Sequence, residues 1–240
     1  MSSLHLSFFY YIGDNLFFVY EKMIIALDLE TTGIDPKNDK ILEVALKIVD
    51  TYSTLVNPGI PIPEIISNIT NIFDEDVKQA PFFDNIQKQK IEDFIQDFPI
   101  LWHNTNFDRD FLLQNGVDIK ENIVLDTFVL ANIIFPYEKS LNLWNLCESF
   151  WITLADAHRA LDDTKATISL FQIITQKFWD LSSDKKDILN FIFSQTHVQA
   201  FSFYKGLFAF PQEVIDEENF IKKILKTIGK YTPKEKQKIF

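Results

Sequence analysis

The first part of the chain contains three apolar runs that are separated by short polar turns. Residues 23–29 begin with a continuous apolar run, 23–27, that leads into Asp28 and Glu30, and residues 40–50 repeat apolar side chains at Ile41, Val44, Leu46 and Ile48. Residues 51–58 follow as a third run, which Pro58 stops. We interpret all three as strands. Because the connections are short, we expect an antiparallel meander.

Beyond the meander the apolar spacing changes from two residues to three or four, which predicts helices. The longest and most regular helical pattern covers residues 158–179, and another amphipathic helix is expected at 82–98. The other predicted elements are short helices within 61–80, a strand at 99–104, a helix at 106–116 closed by Gly116, a strand at 122–127 whose Asp126 caps the next helix, and a short helix at 140–150. Strands that alternate with helices after a meander predict an α/β fold, in which helices flank a mixed sheet.

The same patterns divide the chain into three segments. Residues 1–22 are aromatic-rich and are either a short extra element or sequence upstream of the true start at Met23. Residues 23–180 carry the strand and helix pattern. Residues 181–240 are expected to form a helical appendage around an aromatic stretch at 201–210. That stretch either stacks on nucleic-acid bases or, as is commoner, forms the core of a small helical unit.

Composition favours a folded chain in a reducing setting. Hydrophobic residues make up 47% of the 240 positions, which is enough for a core. The single cysteine, Cys147, excludes an intrachain disulfide and a thiolate metal cluster, and it fits a cytoplasmic location. The N-terminal segment lacks the basic start of a signal peptide, and no apolar run is long enough to span a membrane, so we expect no membrane association.

The charge is unevenly distributed. Residues 219–240 hold seven lysines and one glutamate, a net charge of +6. Because the net charge of the whole chain is −11, the remaining residues carry a net charge of −17. The acidic total argues against binding of long nucleic acids by charge alone. The basic end either touches a polyanion or is an ordinary solvated surface, and the second explanation is the commoner one.

Acidic side chains lie where predicted strands and helices begin or end. Asp28 and Glu30 are two residues apart on a strand and therefore share one face. Asp108 lies near the start of a helix. Asp163 lies one turn inside the long helix, and His158 directly precedes that helix.

Helical phase decides which acid of each neighbouring pair points inward. The face of Asp163 continues through apolar residues, whereas the face of Asp162 is more polar, so Asp163 is predicted to point toward the core. The same test favours Asp108 over Asp110, although less strongly.

Several converging carboxylates cannot all stay ionised in a dry site unless cations compensate their charge. Oxygen ligands without cysteine suit Mg²⁺ or Mn²⁺, and two such ions can clamp both oxygens of a phosphoryl displacement. A histidine nearby can accept the proton of the attacking water. Each residue alone has an ordinary structural explanation, but the combination indicates phosphodiester hydrolysis.

Three motifs make the sequence resemble a known family. "ALDLETTG", "HNTNFDRDFLL" and "HRALDDTKAT" are similar, in order and spacing, to the motifs of the DnaQ-like 3′–5′ exonucleases, in the branch with a histidine in its last motif. The resemblance covers residues 23–179 and implies a ribonuclease H-like fold with a five-stranded sheet. It also implies roles for ten residues: Asp28, Glu30, Asp108 and Asp163 as ligands of two Mg²⁺ ions, which Mn²⁺ can replace; His158 as general base; and Thr31, Thr32, Gly33, Asn104 and Phe107 at the terminal nucleotide.

Two departures from the family pattern lie outside the implied ligands. Asn71 occupies a position where similar sequences have glycine, and asparagine tolerates the positive φ of such a turn. The segment "WITLA" before the last motif is short, so we expect the loop that carries the base to be placed differently.

The resemblance implies an enzyme that shortens single-stranded nucleic acids from their 3′ ends, with DNA favoured over RNA, in DNA repair or replication. The sequence contains no G-x-x-x-x-G-K-[ST] motif, so we expect a free-standing enzyme or a subunit with a polymerase or another protein partner. An exoribonuclease is the alternative enzyme. A non-catalytic interaction module that docks through residues 181–240 is the alternative outside enzymes.

Overall fold

The computed structural model describes residues 9–12, 15–18, 24–47, 50–154, 158–197 and 200–229, with only the backbone for 9–12, 15–18 and 227–229. Within these ranges the chain forms two compact units, and the second begins at residue 175 and includes residues 9–12 and 15–18. This division lies before the predicted boundary at residue 180, so the last turn of the long helix belongs to the second unit. The proposed domain limits, 1–22, 23–180 and 181–240, remain a prediction. Met23 lies outside the described residues.

Strands form two sheets in the described part of the chain. They are β1 (Phe9–Ile12), β2 (Asn15–Phe18), β3 (Ile25–Thr31), β4 (Ile41–Lys47), β5 (Thr51–Leu55), β6 (Ile100–Trp102) and β7 (Val124–Asp126). β1 and β2 pair as an antiparallel hairpin, and the other five form a mixed sheet in the order β5-β4-β3-β6-β7. β3, β4 and β5 are the predicted antiparallel meander, whereas β6 and β7 run parallel to β3. The prediction of a five-stranded mixed sheet is confirmed.

Helices occupy most of the positions that periodicity predicted. They are α1 (Glu64–Thr70), α2 (Asp74–Val77), α3 (Asn85–Ile95), α4 (Asn106–Gln114), α5 (Thr127–Ile134), α6 (Leu143–Ser149), α7 (Ala160–Trp179), α8 (Ser183–Thr196), α9 (Phe201–Leu207) and α10 (Glu217–Gly229). Gly116 follows α4 at φ 80°, and the Asp126 side chain caps α5 by accepting the Phe128 N–H, both as predicted. Among the described helices, none has the length and apolar character needed to cross a bilayer.

β3 lies at the centre of the five-stranded sheet, and this position explains its sequence. Ile25, Leu27 and Leu29 point to one face and are buried in the main core. Asp28 and Glu30 therefore point to the opposite face. Because β3, β6 and β7 are parallel, their carboxyl ends meet at one edge of the sheet, where ligands bind in open α/β sheets.

β4 is the predicted second strand, and it is buried on both faces. Ile41–Leu46 are all buried, including Glu43 at 3% exposure. The strand ends at Lys47, and residues 48–49 lie outside the described part. A charged side chain at a buried position therefore needs partners, which are described below.

Aromatic residues form the core of the second unit. Phe178 and Phe208 stack at 3.9 Å between ring centroids, and Phe193 meets both rings edge-on. Tyr204 stacks on Phe208 at 5.4 Å, and it is 2% exposed. The helical appendage is confirmed. Most of the 201–210 aromatic stretch is core, so its alternative interpretation as a base-stacking surface is wrong for these buried rings.

Lysines of α10 form ion pairs within the second unit. Lys223 Nζ lies 2.9 Å from Asp184 Oδ1 and 2.7 Å from Asp187 Oδ2, and Lys226 pairs with Asp184 at 3.1 Å. Lys222 pairs with Glu218 one turn earlier. These contacts favour the structural explanation for three of the seven C-terminal lysines, and the other four lie beyond the described residues.

Candidate functional site

Two acids project together from the end of β3. Asp28 faces Ala45 of β4, and Glu30 faces Glu43, in the antiparallel register. The register then shifts between Glu30 and Thr31, which ends the regular pairing where the strand enters its turn. The strand therefore fixes the direction of both carboxylates.

Asp108 joins this pair from the first turn of α4. It is 4% exposed, and its Oδ1 accepts a hydrogen bond from the Leu29 backbone N–H at 3.0 Å. Asp110, in contrast, is exposed. The acid that helical phase predicted to point inward is therefore the buried one of the two.

Asp163 reaches the same place from α7. Its Oδ2 accepts a hydrogen bond from the backbone N–H of His158 at 3.0 Å, which links the helix to the turn before it. Asp162 instead pairs with Lys165 at 2.6 Å, in agreement with the predicted phase. One side-chain nitrogen or oxygen atom from each of Glu30, His158 and Asp163 lies within 4.8 Å of the other two.

Burial strongly disfavours the charged forms of these acids. Burial, and next the Asp108 charge, raises the pKa of Asp28 well above its usual range. Burial likewise raises the pKa of Glu30 and of Asp108 to about 8, and that of Asp163 to about 6. Their mutual repulsion adds to the effect on Asp28, Glu30 and Asp108. A set of oxygen donors that repel each other fits divalent cations, which would compensate the charge.

One cavity of about 620 Å³ contains the whole set. Asn104 and Phe107, predicted at the terminal nucleotide, also line it. An aromatic wall that the sequence did not predict, formed by Phe128 and Trp144, lines the cavity too. Trp144 is 55% exposed. The lining residues are Asp28, Leu29, Glu30, His103, Asn104, Phe107, Asp108, Phe128, Asn142, Leu143, Trp144, Leu154, His158 and Asp163.

Thr31, Thr32 and Gly33 are not among the residues that line this cavity. The Thr31 hydroxyl donates to the Gly33 carbonyl at 2.6 Å, and the Thr32 hydroxyl accepts the Lys40 N–H at 2.9 Å. A Cβ atom on Gly33 would overlap the Asp39 carboxylate. The three residues therefore hold the turn after β3 together. Their predicted contact with a nucleotide stays a prediction.

His103 lines the cavity and was not predicted. Its Nε2 donates to the Leu141 carbonyl at 2.8 Å, and its Nδ1 lies 2.8 Å from the Thr127 hydroxyl. Burial lowers its pKa, which favours the neutral ring. His103 thus ties the end of β6 to the residues that precede α6. The only signal in the sequence was its place directly before Asn104 in the second motif.

Glu43 and Arg159 form an ion pair beside the site, and it was not predicted from the sequence. Glu43 lies opposite Glu30 and receives the Arg159 guanidinium, with Nε at 3.2 Å from Oε2. The signal was available, because an acid in the middle of the apolar run "ILEVAL" is unusual for a strand.

The two departures from the family pattern differ in outcome. Asn71 adopts φ 53° at the C-terminal cap of α1, as its residue type allows. The placement of the loop before His158 stays a prediction, because residues 155–157 lie outside the described ranges.

Comparisons with known proteins agree with this geometry. The model of the RNase_T exonuclease family matches residues 25–171. The chain is 33% identical over 187 residues to a PolC-type DNA polymerase III of Caldanaerobacter subterraneus subsp. tengcongensis, with 74% of this chain and 13% of that protein covered. It is also 33% identical over 179 residues to the 3′–5′ exonuclease DinG of Staphylococcus aureus, with 70% and 20% covered. The chain therefore spans a fifth or less of the length of these relatives.

Solved structures show the same fold at lower identity. Exonuclease X in complex with 5′ overhanging duplex DNA matches with a TM-score of 0.53 at 24% identity, covering 64% of this chain and 92% of that one. E. coli Exonuclease I in complex with a dA16 oligonucleotide matches with a TM-score of 0.56 at 18% identity, covering 65% and 41%. The family match, which includes all four acids and His158, identifies the chain as a member of the RNase_T exonuclease family.

Proposed function

We propose that the protein is a metal-dependent 3′–5′ exonuclease that acts on single-stranded DNA ends and releases nucleoside monophosphates. The observation that carries the proposal is the convergence of four carboxylates and His158 in one cavity. The family membership and the name of the DinG relative, a 3′–5′ exonuclease, support the same activity.

We assign two Mg²⁺ ions, replaceable by Mn²⁺, to the four carboxylates of Asp28, Glu30, Asp108 and Asp163. The support is chemical: these are hard oxygen donors, and burial raises the pKa of each, so the ionised set needs positive charge nearby. When bound, such ions stabilise the charge that develops on the attacking and leaving oxygens.

The protein side chains accept the proton and bind the terminal nucleotide. His158 accepts a proton from the attacking water, whose oxygen forms a new bond to the terminal phosphorus. The bond from phosphorus to the 3′ oxygen breaks with its electron pair on that oxygen, which takes a proton from solvent and becomes the new 3′ hydroxyl of the shortened strand. Phe107 and Asn104 hold the nucleotide that is released as a 5′-monophosphate.

The proposed preference for single strands follows from the size and the aromatic lining of the cavity. A cavity of about 620 Å³ accommodates a nucleotide-sized group but not a duplex. Its aromatic wall of Phe128 and Trp144 offers stacking surfaces, which recognise unpaired bases without sequence preference.

DNA is the proposed substrate, with RNA as the alternative. The PolC-type relative is a DNA polymerase by name, and two of the matching structures contain DNA. Matched DNA and RNA oligonucleotides of one sequence, digested in parallel with Mg²⁺, distinguish the two. Faster shortening of DNA supports the proposal, and faster shortening of RNA assigns an exoribonuclease. A role in repair or replication beside a polymerase or another protein is part of the same proposal.

The decisive test replaces one acid and compares it with a neighbour outside the cavity. Asp28→Ala is expected to abolish Mg²⁺-dependent shortening of a 5′-labelled oligonucleotide, whereas Asp110→Ala, an exposed acid on α4, is expected to retain it. Activity that persists in Asp28→Ala would contradict the proposed mechanism. A folded wild-type protein without activity would favour a binding module instead.

A further inference from the structure

Glu43 is a buried acid that the proposed reaction does not use. It lies in β4, 3% exposed, directly opposite Glu30 in the antiparallel register. Its charge repels those of Glu30 and Asp163, so it makes a crowded group of acids more crowded. A neutral side chain of similar size would avoid this repulsion. A carboxylate at this position is therefore expected to make interactions that a neutral side chain could not make.

In the described part of the chain, Glu43 accepts hydrogen bonds from Arg159, directly before α7, and from Ala160, the first residue of that helix. Its Oε2 accepts from Arg159 Nε at 3.2 Å and from the Ala160 backbone N–H at 3.1 Å, and its Oε1 accepts from Arg159 Nη2 at 3.3 Å. A carboxylate that receives a guanidinium through both oxygens has a well-defined orientation. Glu43 thus connects the central sheet to the two residues that follow His158.

His158 itself has a backbone conformation that needs support. Its φ is 62°, in the left-handed region that residues other than glycine seldom adopt unless their surroundings hold them there. Asp163 holds the His158 N–H from one side, and Glu43 holds Arg159 and Ala160 on the other. The backbone around His158 is therefore held by two carboxylates, Asp163 from α7 and Glu43 from β4.

We propose that Glu43, through Arg159 and Ala160, is a positioning residue that holds His158 in place to accept the proton of the attacking water. The proposal rests on the proposed function for its kinetic consequence, and on the hydrogen bonds alone for its structural consequence. It explains why an acid is present at a buried strand position beside other acids. It also explains why an arginine directly follows the histidine.

Glu43→Gln is the most informative substitution. Glutamine keeps an oxygen for the Ala160 N–H, but its amide nitrogen cannot accept from the guanidinium, so the two-pronged contact is lost. We expect kcat on a single-stranded oligonucleotide to fall about 10- to 100-fold, as for other residues that orient an active-site group, with KM within about 2-fold. Arg159→Lys keeps the positive charge but cannot contact both Glu43 oxygens as the guanidinium does, so kcat should again fall while KM stays nearly unchanged. It also serves if Glu43→Gln does not fold.

The control is Tyr52→Phe. Tyr52 lies on β5, next to β4, in the same unit as Glu43, and it does not line the cavity. The substitution removes the hydrogen bond from the Tyr52 hydroxyl to the Gln87 side chain. We expect a loss of thermal stability without a change in kcat. If Glu43→Gln and Tyr52→Phe affect stability and leave kcat equally unchanged, Glu43 is only a structural ion pair and the proposal is wrong.

A double-mutant cycle identifies the residue through which Glu43 acts. If it acts through His158, Glu43→Gln should add less than about 2-fold to the loss in kcat of His158→Ala. Effects that multiply in full would show that Glu43 acts independently of His158 and would overturn the proposal.

A measurement without substrate separates this proposal from the exonuclease proposal. Amide hydrogen exchange over residues 158–164 should become faster in Glu43→Gln than in the wild type and in Tyr52→Phe, because the Ala160 N–H and the turn before it lose their anchor. If exchange is faster in Glu43→Gln but neither the wild type nor any variant cleaves DNA or RNA, the proposed function is wrong and the positioning contact is still supported. Unchanged exchange contradicts the positioning role.

Discussion

The Asp108 carboxylate accepts a hydrogen bond at 3.0 Å from the backbone N–H of Leu29, the residue between Asp28 and Glu30. A helix is thus fastened to the centre of a strand 79 positions earlier in the chain. Because neighbouring residues on a strand point to opposite faces, the side chain of Leu29 anchors the core while its N–H orients the third acid. One residue therefore fixes the relative positions of three acidic groups.

The substitution Asp108→Asn should stabilise the metal-free protein while it inactivates the enzyme. Asparagine keeps an oxygen for the Leu29 N–H but removes a charge that burial disfavours, since the pKa of Asp108 is raised to about 8. We expect a higher Tm than wild type at pH 8 without metal, and Mg²⁺-dependent hydrolysis lower by more than ~100-fold, beyond the usual effect of residues around a metal site. Asp110→Asn on the same helix should change neither. A lower Tm at pH 8 in Asp108→Asn would contradict the stated electrostatics.

The metal-free protein should lose stability as the pH rises from about 4 to about 8. The folded-state pKa of Glu30 and of Asp108 is about 8, above the unfolded values near 4, so the folded protein binds more protons than the unfolded chain across this range. Stability linked to these groups is therefore fully present below pH 4 and is lost as the pH approaches 8. Thermal unfolding in a chelating buffer at several pH values measures this.

Mg²⁺ should offset that loss, because the proposed function assigns it to the ionised carboxylates that only the folded protein brings together. We expect millimolar Mg²⁺ to raise Tm more at pH 8 than at pH 5, where protons compete for the same oxygens. The variant Asp28→Ala should show a smaller increase. An equal increase in Tm at both pH values would show that Mg²⁺ stabilises the protein elsewhere.

Trp144 should contribute to substrate binding through stacking. It lines the cavity at 55% exposure, and His103 anchors the Leu141 carbonyl just before its helix. Stacking on an aromatic side chain contributes about 1–3 kcal/mol per base, so Trp144→Ala should weaken binding of a single-stranded oligonucleotide about 5- to 150-fold. Fluorescence anisotropy with Ca²⁺ in place of Mg²⁺ measures binding without turnover.

The matched control for Trp144 is Trp151→Ala. Trp151 is 93% exposed and is not among the residues that line the cavity. We expect its oligonucleotide affinity to stay within about 2-fold of wild type, since exposed residues away from a site contribute little. Equal losses of affinity in the two variants would show that exposed tryptophans bind the oligonucleotide nonspecifically, and that the cavity is not responsible.

Asp126 should contribute to stability more than a helix cap alone. Its carboxylate accepts the Phe128 N–H and also the N–H groups of Asn104, at 3.0 Å, and Thr105, at 2.9 Å. Asp126→Ala leaves three donors without their acceptor, and we expect the free energy of unfolding in urea to fall by about 1–3 kcal/mol. Asp97→Ala, at an exposed turn, should cost less than about 0.5 kcal/mol. Similar losses in both variants would contradict the role of the Asp126 hydrogen bonds.

Local periodicity was enough for the order of the elements. Three apolar runs joined by short turns predicted the antiparallel meander, and a period near 3.6 predicted the long helix and the inward direction of Asp163. The motifs predicted which acids converge, because each motif lies where an element begins or ends. These properties depend on residues close together in sequence.

The hydrogen-bond partners of the residues in the turn after β3 could not be predicted in the same way. Thr31 and Thr32 are predicted at the nucleotide, which stays a prediction, and it was not predicted from the sequence that their hydroxyls bond to Gly33 and to Lys40 within the turn. A hydroxyl can donate to a ligand or to the backbone equally well, and its sequence does not specify which. The fold decides this by bringing a backbone group within reach first.

The sequence by itself determined the type and order of the elements and the face on which each acid lies, because both follow from the repeat of a strand or helix. Only the tertiary structure decided that Glu43 lies opposite Glu30 and receives Arg159, 116 positions away. It alone brought Trp144 to the cavity wall. Such pairings depend on strand register and on which elements meet in space. A periodic pattern specifies the direction of a side chain, whereas long-range packing selects its partner.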